Sequence, residues 1–483
     1  MHRCCHTRRA ALMVSLWLAG SALAWAQATR VDVDPDRAFQ SIDGFGVNFN
    51  GTYFRESQKA AIDLLIDDLG ATLFRLDPYG LSNWEARNDD DDPAHINWVY
   101  YDDRYSSPFF EASWAAARYL NAKGIRPFLT VSGMTPTWMN DDSAPPPTHS
   151  VCDAYERTED LRFPPPHHLN PAMYEEFAEM VVSMAFYARH RAGVDFEYFS
   201  PLNEVDCYSH GEGPRVDPEE APVVLATVVR RLQREGLGSL KLVAVDPSGS
   251  GDYETPLLAN DTVMSQLAVI SVHSYGPSET VVAPRVEHVR ESHHPDTRIW
   301  LTEYGALEGG FDGSSPRDEW NVNSMVATRR ALVALNHGAQ AALHWDAFDN
   351  YHEHDQTLTY YGLLRNDHHR YAPKKRYFAA RQLFRFVPPG ARRIAASADT
   401  DELTVSAFRD AAGSIVVVGV KAAGPDRIRV VVPEARAPET WVLHATTATL
   451  DCADLGSVPV EGGVAELDLP GSAVFTLVGN TLP

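Results

Sequence analysis

Two glutamates stand out by where they fall. Glu204 follows the short apolar run 196–203, which closes Leu202-Asn203, and Glu303 sits in the sequence Ile299-Trp300-Leu301-Thr302-Glu303-Tyr304-Gly305 at the end of another. A pair of carboxyls facing each other across a cleft suits the cleavage of an acetal. One, protonated, hands its proton to the departing oxygen while the other, ionised, attacks the carbon left electron-poor; a separation of roughly 5–5.5 Å implies a covalent intermediate and retained stereochemistry. Glu204 is expected to be the acid/base and Glu303 the nucleophile. A lone strand-end glutamate more often anchors a loop or a salt bridge, so it is their joint occurrence that carries this reading.

Other strand-end side chains suit substrate contacts in the same site. Arg75 could pair with the nucleophile and hold it ionised by charge proximity, or serve as a structural salt bridge. Asn203, beside the acid, could donate to a sugar 2-hydroxyl, or cap the loop. His273 and Tyr275 are two apart on one strand and therefore point to the same side. Trp345 and Trp138 offer flat faces on which a C–H-rich pyranose can stack, although a loop tryptophan also packs a loop down. Trp84, Trp98 and Tyr101 either line outer subsites or pack their loop. Asp77 and Asp346 are read as contacts to substrate hydroxyls or as structural groups, not as the catalytic pair.

Such a constellation needs a scaffold that brings distant strand ends together. Short β-branched or apolar runs at 44–49, 72–77, 126–132, 196–203, 242–246, 269–275, 299–304 and 341–345 alternate with helical patterns at 56–69, 110–122, 171–191, 218–235, near Met264, 286–292, 320–336 and 375–386. Eight βα units over 44–387 predict an α/β fold, a (β/α)8 TIM barrel, whose catalytic groups stand at the C-terminal strand ends. From 388 to 483 the pattern changes to short alternating runs at 402–408, 414–420, 427–432, 441–445 and 473–478. These predict a β-sandwich side domain, to which the segment 27–43 contributes an N-terminal strand at about 30–40. Residues 1–26 read as a signal peptide: Arg3, Arg8 and Arg9, an apolar run, then Ala24-Trp25-Ala26.

With the glutamates in this frame, the sequence resembles clan A of the glycoside hydrolases, the 4/7 superfamily. Asn203-Glu204 looks like its acid/base motif and Thr302-Glu303 like its nucleophile. Within the clan, Ile42-Asp43-Gly44-Phe45-Gly46, the loop Thr135-Pro136-Thr137-Trp138-Met139 and a C-terminal β-domain sharing strands with the N-terminus are similar to glycoside hydrolase family 30. The resemblance implies a retaining glycosidase without a cofactor, and a Tyr275 hydroxyl that donates to Glu303. The sequence departs from the family's pattern at Val47-Asn48-Phe49-Asn50, where Gly-Gly is more usual, and at Val205, where many relatives have proline.

Composition narrows the partners. The chain carries 42 basic and 65 acidic residues, a formal charge of -23. Nucleic acid and anionic membranes are poor matches for it. The expected partner is a polysaccharide or oligosaccharide, cut internally, with a β-1,6-linked glucan or galactan or a xylan foremost; a monomer, exported to the periplasm or beyond, is expected. The alternative is a secreted carbohydrate-binding barrel without catalysis. Five cysteines are present, two of them in the signal segment; of the rest, Cys152 and Cys207 either pair or lie close, and an odd count leaves a free thiol. No metal site is expected: the run Tyr351-His352-Glu353-His354-Asp355 has no matching ligands elsewhere. The acidic run Asp89–Asp92 reads as a solvated loop, with bound Ca²⁺ as the lesser alternative.

Overall fold

The computed structural model describes residues 28–80, 84–141, 168–206, 212–249, 251–306, 318–352 and 357–479. The segment 1–26 expected to be a signal peptide and both Cys152 and Cys207 lie outside them, as do Glu353–Asp355 of the histidine-rich run. Strand β1 (Thr29–Ser41) belongs to the side domain. The next eight, β2 (Gly44–Asn50), β3 (Leu73–Asp77), β4 (Phe128–Thr130), β5 (Tyr198–Ser200), β6 (Lys241–Ala244), β7 (Leu267–Ser274), β8 (Arg298–Tyr304) and β9 (Ala341–His344), close in that order into a parallel barrel. Every residue of β2 and β9 is buried, because helices cover one face and the barrel interior the other.

The barrel is filled in layers. Near its N-terminal end Phe128, Val243, Val269, Trp300, Ala341 and Leu343 form an apolar plug. Side chains on a strand repeat their direction every second residue, so one step further along come Arg75, Thr130, Ser200, Ser271 and Thr302. This polar layer is the floor of the site. The glycines of the opening motif are structural: a Cβ on Gly46 would stand 1.8 Å from the Leu73 carbonyl oxygen.

The helices are α1 (Lys59–Leu64), α2 (Trp98–Tyr105), α3 (Pro108–Ala122), α4 (Tyr174–His190), α5 (Ala221–Arg234), α6 (Glu254–Leu258), α7 (Asp261–Met264), α8 (Ser278–Glu291), α9 (Met325–Asn336) and α10 (Lys375–Phe384). Three differ from the sequence expectation, one of them α6, a short helix where only a segment near Met264 is expected. α8 begins eight residues before 286, running through Pro284, a residue that normally argues for a break. α2 lies in the long segment after β3, where no helix is expected. Between β9 and α10 stand two hairpins, β10 (Asn350–His352) with β11 (Thr357–Thr359), and β12 (Leu364–Asp367) with β13 (Arg370–Pro373). The second turns at His368-His369, both with positive φ, the geometry a two-residue hairpin turn demands.

The side domain adds β14 (Arg392–Ala398), β15 (Leu403–Arg409), β16 (Ile415–Lys421), β17 (Arg427–Val431), β18 (Thr440–Thr446), β19 (Ala453–Pro459), β20 (Val464–Asp468) and β21 (Ala473–Gly479). With β1 they form one sheet in the order β19-β18-β21-β16-β15-β14-β1-β17-β20, curled until β19 and β20 touch. It thus encloses its own core of Val31, Ile394, Val405, Val417, Trp441 and Phe475, as a sandwich would. The other face of β15 and β16 is apolar too: Phe408, Val416, Val418 and Val420 join the barrel's core. Polar ties cross the same seam, from Thr476 Oγ1 to the Gln382 carbonyl (2.5 Å), from Gln382 Nε2 to Thr446 Oγ1 (2.9 Å), and between Ser406 Oγ and Asn336 Oδ1 (2.9 Å).

Candidate active site

Arg75 is the centre of the polar layer. Its guanidinium, 2 % exposed, donates from Nη1 to Glu303 Oε1 (2.5 Å) and Asn48 Oδ1 (3.1 Å), and from Nη2 to Asn203 Oδ1 (2.6 Å), Thr130 Oγ1 (3.1 Å) and Asp246 Oδ2 (3.2 Å). One side chain therefore spans β2, β3, β4 and β8 and the segments that follow β5 and β6. Its planar fork of five donors is what makes that possible.

Glu303 is held on both oxygens, since the Tyr275 hydroxyl donates to Oε2 at 2.5 Å. Burial and the Glu204 charge push its carboxyl up, against the pull of His273, Arg75 and the Tyr275 hydroxyl. The pairing of β8 with its neighbours slips near this residue, between Val272 and His273 on one side and between Leu301 and Tyr304 on the other. Such an irregularity re-aims side chains at a strand end. Here it lets two consecutive residues work inward: Thr302 Oγ1 donates to Asp246 Oδ1 (2.5 Å) while Glu303 meets Arg75.

Glu204 follows β5 with φ of 40, a left-handed conformation that non-glycine residues avoid and that recurs at functional positions. Its amide donates to the Asp246 carbonyl (2.9 Å) and its Oε1 meets His273 Nδ1 at 2.8 Å. His273, with no exposed surface, also faces Glu303 Oε2 (3.5 Å) and, through Nε2, Asp246 Oδ1 (3.7 Å). Burial opposes a charge on the ring, but Glu303, Asp246 and Glu204 together raise it to about 10, so it is an imidazolium at neutral pH. A donor atom from each of Glu204, His273 and Glu303 lies within 4.8 Å of the others.

The structure thus brings Glu204, Glu303, Arg75, Asn203, His273 and Tyr275 into one hydrogen-bonded group. Asn203 also donates from Nδ2 to the Glu212 carbonyl (3.1 Å), so its amide anchors the loop after Glu204 as well as meeting Arg75. Asp77 stands two residues beyond Arg75, 4 % exposed, with Ser132 Oγ bonded to Oδ2 and no hydrogen-bond partner for Oδ1. Burial, opposed by Arg75 and reinforced by Glu303, raises it to about 8, so it is a neutral acid at neutral pH. Trp345, half-buried, directly follows β9, the last barrel strand. Trp138 is half-buried after β4 with its indole Nε1 donating to the Glu85 carbonyl (2.8 Å), so its ring is fixed against the neighbouring loop and is not bonded to the glutamate group.

Two residues of the site escape the sequence reading. Asp246, 0 % exposed, receives Arg75, Ser200 Oγ (2.9 Å) and Thr302, and these cations and donors hold it below the ordinary carboxylate range although burial opposes them. Asn48, within the departure from Gly-Gly, accepts from Arg75 and donates to the Thr302 carbonyl (3.0 Å). Trp84 and Tyr101, both 0 % exposed, belong to the core and line no subsite; Trp98 packs on Phe186 with Arg191 over its ring. Cys452 is a buried free thiol.

No family model matches the sequence. The fold is similar to that of family 30 glycoside hydrolases, the group its motifs resemble. A family 30 endoxylanase from Clostridium papyrosolvens C71 is 18 % identical, with a TM-score of 0.66, over 94 % of this chain and 100 % of its own. SrfJ from Salmonella typhimurium is 16 % identical, TM-score 0.69, over 94 % of this chain and 93 % of its own. An endo-β-1,6-glucanase is 17 % identical, TM-score 0.66, over 95 % and 94 %. At these identities the likeness is one of fold.

Proposed function

We propose that the protein is an exported, monomeric retaining β-glycosidase that cuts a polysaccharide internally. The observation that carries this is the spacing of the two glutamates: oxygens of Glu204 and Glu303, from the fourth and seventh barrel strands, lie within 4.8 Å of each other across His273. Inverting enzymes hold their carboxyls roughly 6.5–9.5 Å apart to admit a water between them; retaining enzymes hold them close enough for one to attack directly.

In the first half of the reaction Glu204 protonates the departing oxygen and Glu303 attacks the anomeric carbon. In the second, Glu204 takes a proton from water as that water displaces Glu303 and restores the original configuration. Arg75 and Tyr275 grip the two oxygens of Glu303 and set its aim. His273 fixes one oxygen of Glu204, and Asn203 places an amide beside it for the sugar. Trp345 at the rim offers a stacking face, and Asp77 Oδ1 an unfilled hydrogen-bonding position. The similar folds named as an endoxylanase and an endo-β-1,6-glucanase make xylan and β-1,6-linked glucan, with the corresponding galactan, the first substrates to try.

Product sizing on that panel tests internal cleavage, and proton NMR of the first-formed anomer tests retention. Glu303→Ala is expected to lose turnover on every substrate and to regain some with azide, giving an inverted glycosyl azide. Glu204→Ala is expected to keep its first step on substrates with good leaving groups and to be rescued by azide with retention. Inverted wild-type product, or the two variants behaving the other way round, would overturn the assignment.

A further inference from the structure

Two arginines face each other at one end of the side domain's sheet. Arg392 of β14 is the register partner of Arg409 of β15, so their side chains leave the same face with Cβ atoms about 4.5–5.5 Å apart. Ile394 and Ala407, two residues further in on the same strands, belong to the core that the curled sheet encloses, as does Ile415, the partner of Arg409 on β16. The arginines therefore stand at the edge of that core, Arg392 exposed and Arg409 half-buried. They line a pocket of about 500 Å³ whose other walls are small residues, among them Gly390, Ala411 and Ala412, with Asp410 its sole carboxylate among the described residues. The pocket lies at the N-terminal end of the barrel, away from the glutamates: the Gly390 amide donates to the Ile42 carbonyl (2.7 Å) just before β2, and Arg392 pairs with Ser41.

Like charges directly opposed on neighbouring strands repel. Neither guanidinium has a hydrogen bond or an ion pair among the described residues, although the chain carries 65 acidic residues to 42 basic. Asp410 turns to its own hairpin instead, where its Oδ1 accepts the Ser414 amide (2.8 Å). On the other face of the same strand ends, Arg393 and Arg37 stack on the Phe39 ring, their guanidinium carbons 3.7 Å and 5.3 Å from its centre. Burial and the Arg37 charge lower Arg393 to about 10, and its Nε donates only to a neutral oxygen, Gln40 Oε1 (3.2 Å). A protein of formal charge -23 thus keeps four arginines together here without a carboxylate partner.

We infer that the pocket between Arg392 and Arg409 binds an oxyanion, the carboxylate of an acidic sugar. A guanidinium presents parallel donors that match a carboxylate's two oxygens, and two of them on one pocket wall place that preference where a ligand can reach it. The volume falls within the roughly 300–1,000 Å³ of small-ligand pockets, enough for a sugar ring and its charged group. Arg37 and Arg393 add positive potential from behind, which draws an anion toward this end of an otherwise acidic molecule. The anion follows from these charges alone; the sugar rests on the glycosidase reading, and free phosphate offers the same chemistry. Because the pocket is at the opposite end of the barrel from the glutamates, its ligand is held without being cut. A polymer carrying acidic sugars is thereby kept near the enzyme, which raises the local concentration of its cleavable bonds.

Isothermal titration calorimetry of the full-length protein at low ionic strength, with trigalacturonate, neutral galactotriose and inorganic phosphate in turn, tests this. Trigalacturonate is expected to bind, and Arg392→Gln and Arg409→Gln should each weaken it at least about tenfold, the loss of one charge-assisted hydrogen bond. The same variants should leave any binding of galactotriose at the barrel mouth unchanged. Asp410→Asn, which keeps the acceptor for Ser414 and removes the pocket's carboxylate, should tighten trigalacturonate; binding no tighter than wild type counts against the pocket. No binding of trigalacturonate, or equal binding by wild type and both arginine variants, would overturn the inference. Phosphate bound as tightly as trigalacturonate would overturn the sugar in favour of the free ion. Binding is read here without turnover, so a wild-type protein that binds trigalacturonate but cleaves no polysaccharide would sink the glycosidase reading and leave the anion pocket standing.

Discussion

Asp246→Asn is the most informative single change, because Asp246 is where the site's two cations meet. Arg75 Nη2 lies 3.2 Å and His273 Nε2 3.7 Å from its oxygens, and Ser200 and Thr302 hydroxyls also donate to it. Asparagine keeps the size, removes the charge and turns one acceptor into a donor among groups that are already donors. Removing one partner of a buried ion pair typically costs about 3–5 kcal/mol, because the other charge is left uncompensated. Arg75 retains Glu303 and Asn203, so the lower end, about 3 kcal/mol, is expected.

The consequences for pH have a definite sign. His273 is raised in the folded protein to about 10 from an ordinary 6.5. Its contribution to stability is therefore full below pH 6.5 and lost as pH rises through about 10. The variant withdraws one of the three carboxylates that raise it, so the loss should begin at lower pH. Asp246 itself is held below 3.8, and its share of wild-type stability lies above that value and fades as pH falls. Because Arg75 holds Glu303, the proposed nucleophile, kcat should fall about 10²-fold, the order expected of a small misplacement, with KM changed far less. Denaturant unfolding and a kcat profile from pH 5 to 10, on whichever substrate the screen yields, check both. An unfolding midpoint equal to wild type, or kcat within about threefold, would refute the reasoning that this carboxylate holds the network together.

Other changes probe separate links. A Cβ on Gly213 would fall 1.6 Å from the Asn203 carbonyl oxygen, so Gly213→Ala should displace the loop behind the acid/base and lower kcat at least about tenfold with the side domain intact by circular dichroism. Asp77, raised to about 8 from 3.8, contributes stability below 3.8 that is lost as pH rises through about 8. Asp77→Asn, which cannot ionise, should flatten the pH dependence of unfolding free energy across that window by an amount on the order of a few kcal/mol; a slope unchanged from wild type counts against the assigned protonation. Ending the chain near Val387 exposes the apolar seam that Phe408, Val416 and Val474 share with the barrel core, and insoluble protein is expected; a soluble, fully active barrel would contradict that seam.

The barrel was legible because each of its strands is buried on both faces and so reads as a short apolar run between polar stretches. The side-domain strands β15, β16 and β21 were legible for the same reason. β14, β19 and β20 were not: β14 is Ala-rich, β19 is mostly exposed, and β20, though it alternates, buries only Ala465 and Leu467. Glu204 and Glu303 could be named because their neighbours form recognisable motifs. Asp246 ends its run without one, and its importance comes from Arg75, His273 and Thr302, which lie far off in sequence. Trp84 and Tyr101 stayed open between lining subsites and packing their loop, because composition cannot say which side of a long loop faces the barrel; their burial decides for packing.

The charges of the site explain why this many ionisable groups can share one buried space. Arg75 and His273 are two cations, and Asp77 keeps its proton at neutral pH. In the form that the proposed acid catalysis needs, with Glu303 ionised and the proton on Glu204, Asp246 and Glu303 set two negative charges against them. After the proposed first step Glu303 is esterified and neutral while Glu204 has given up its proton. The sum is again two cations against Asp246 and one glutamate. The reaction then moves one negative charge from Glu303 to Glu204, between oxygens that both face His273 Nδ1, at 3.5 Å and 2.8 Å. A fixed imidazolium between the two carboxyls can stabilise either charged form with little rearrangement, which is the advantage of a preorganised site over water. On this argument His273 serves both half-reactions equally. His273→Ala should therefore slow formation and breakdown of the glycosyl-enzyme by similar factors. Pre-steady-state burst measurements read the two steps separately, and a variant slowed in only one of them would show that the ring belongs to one glutamate alone.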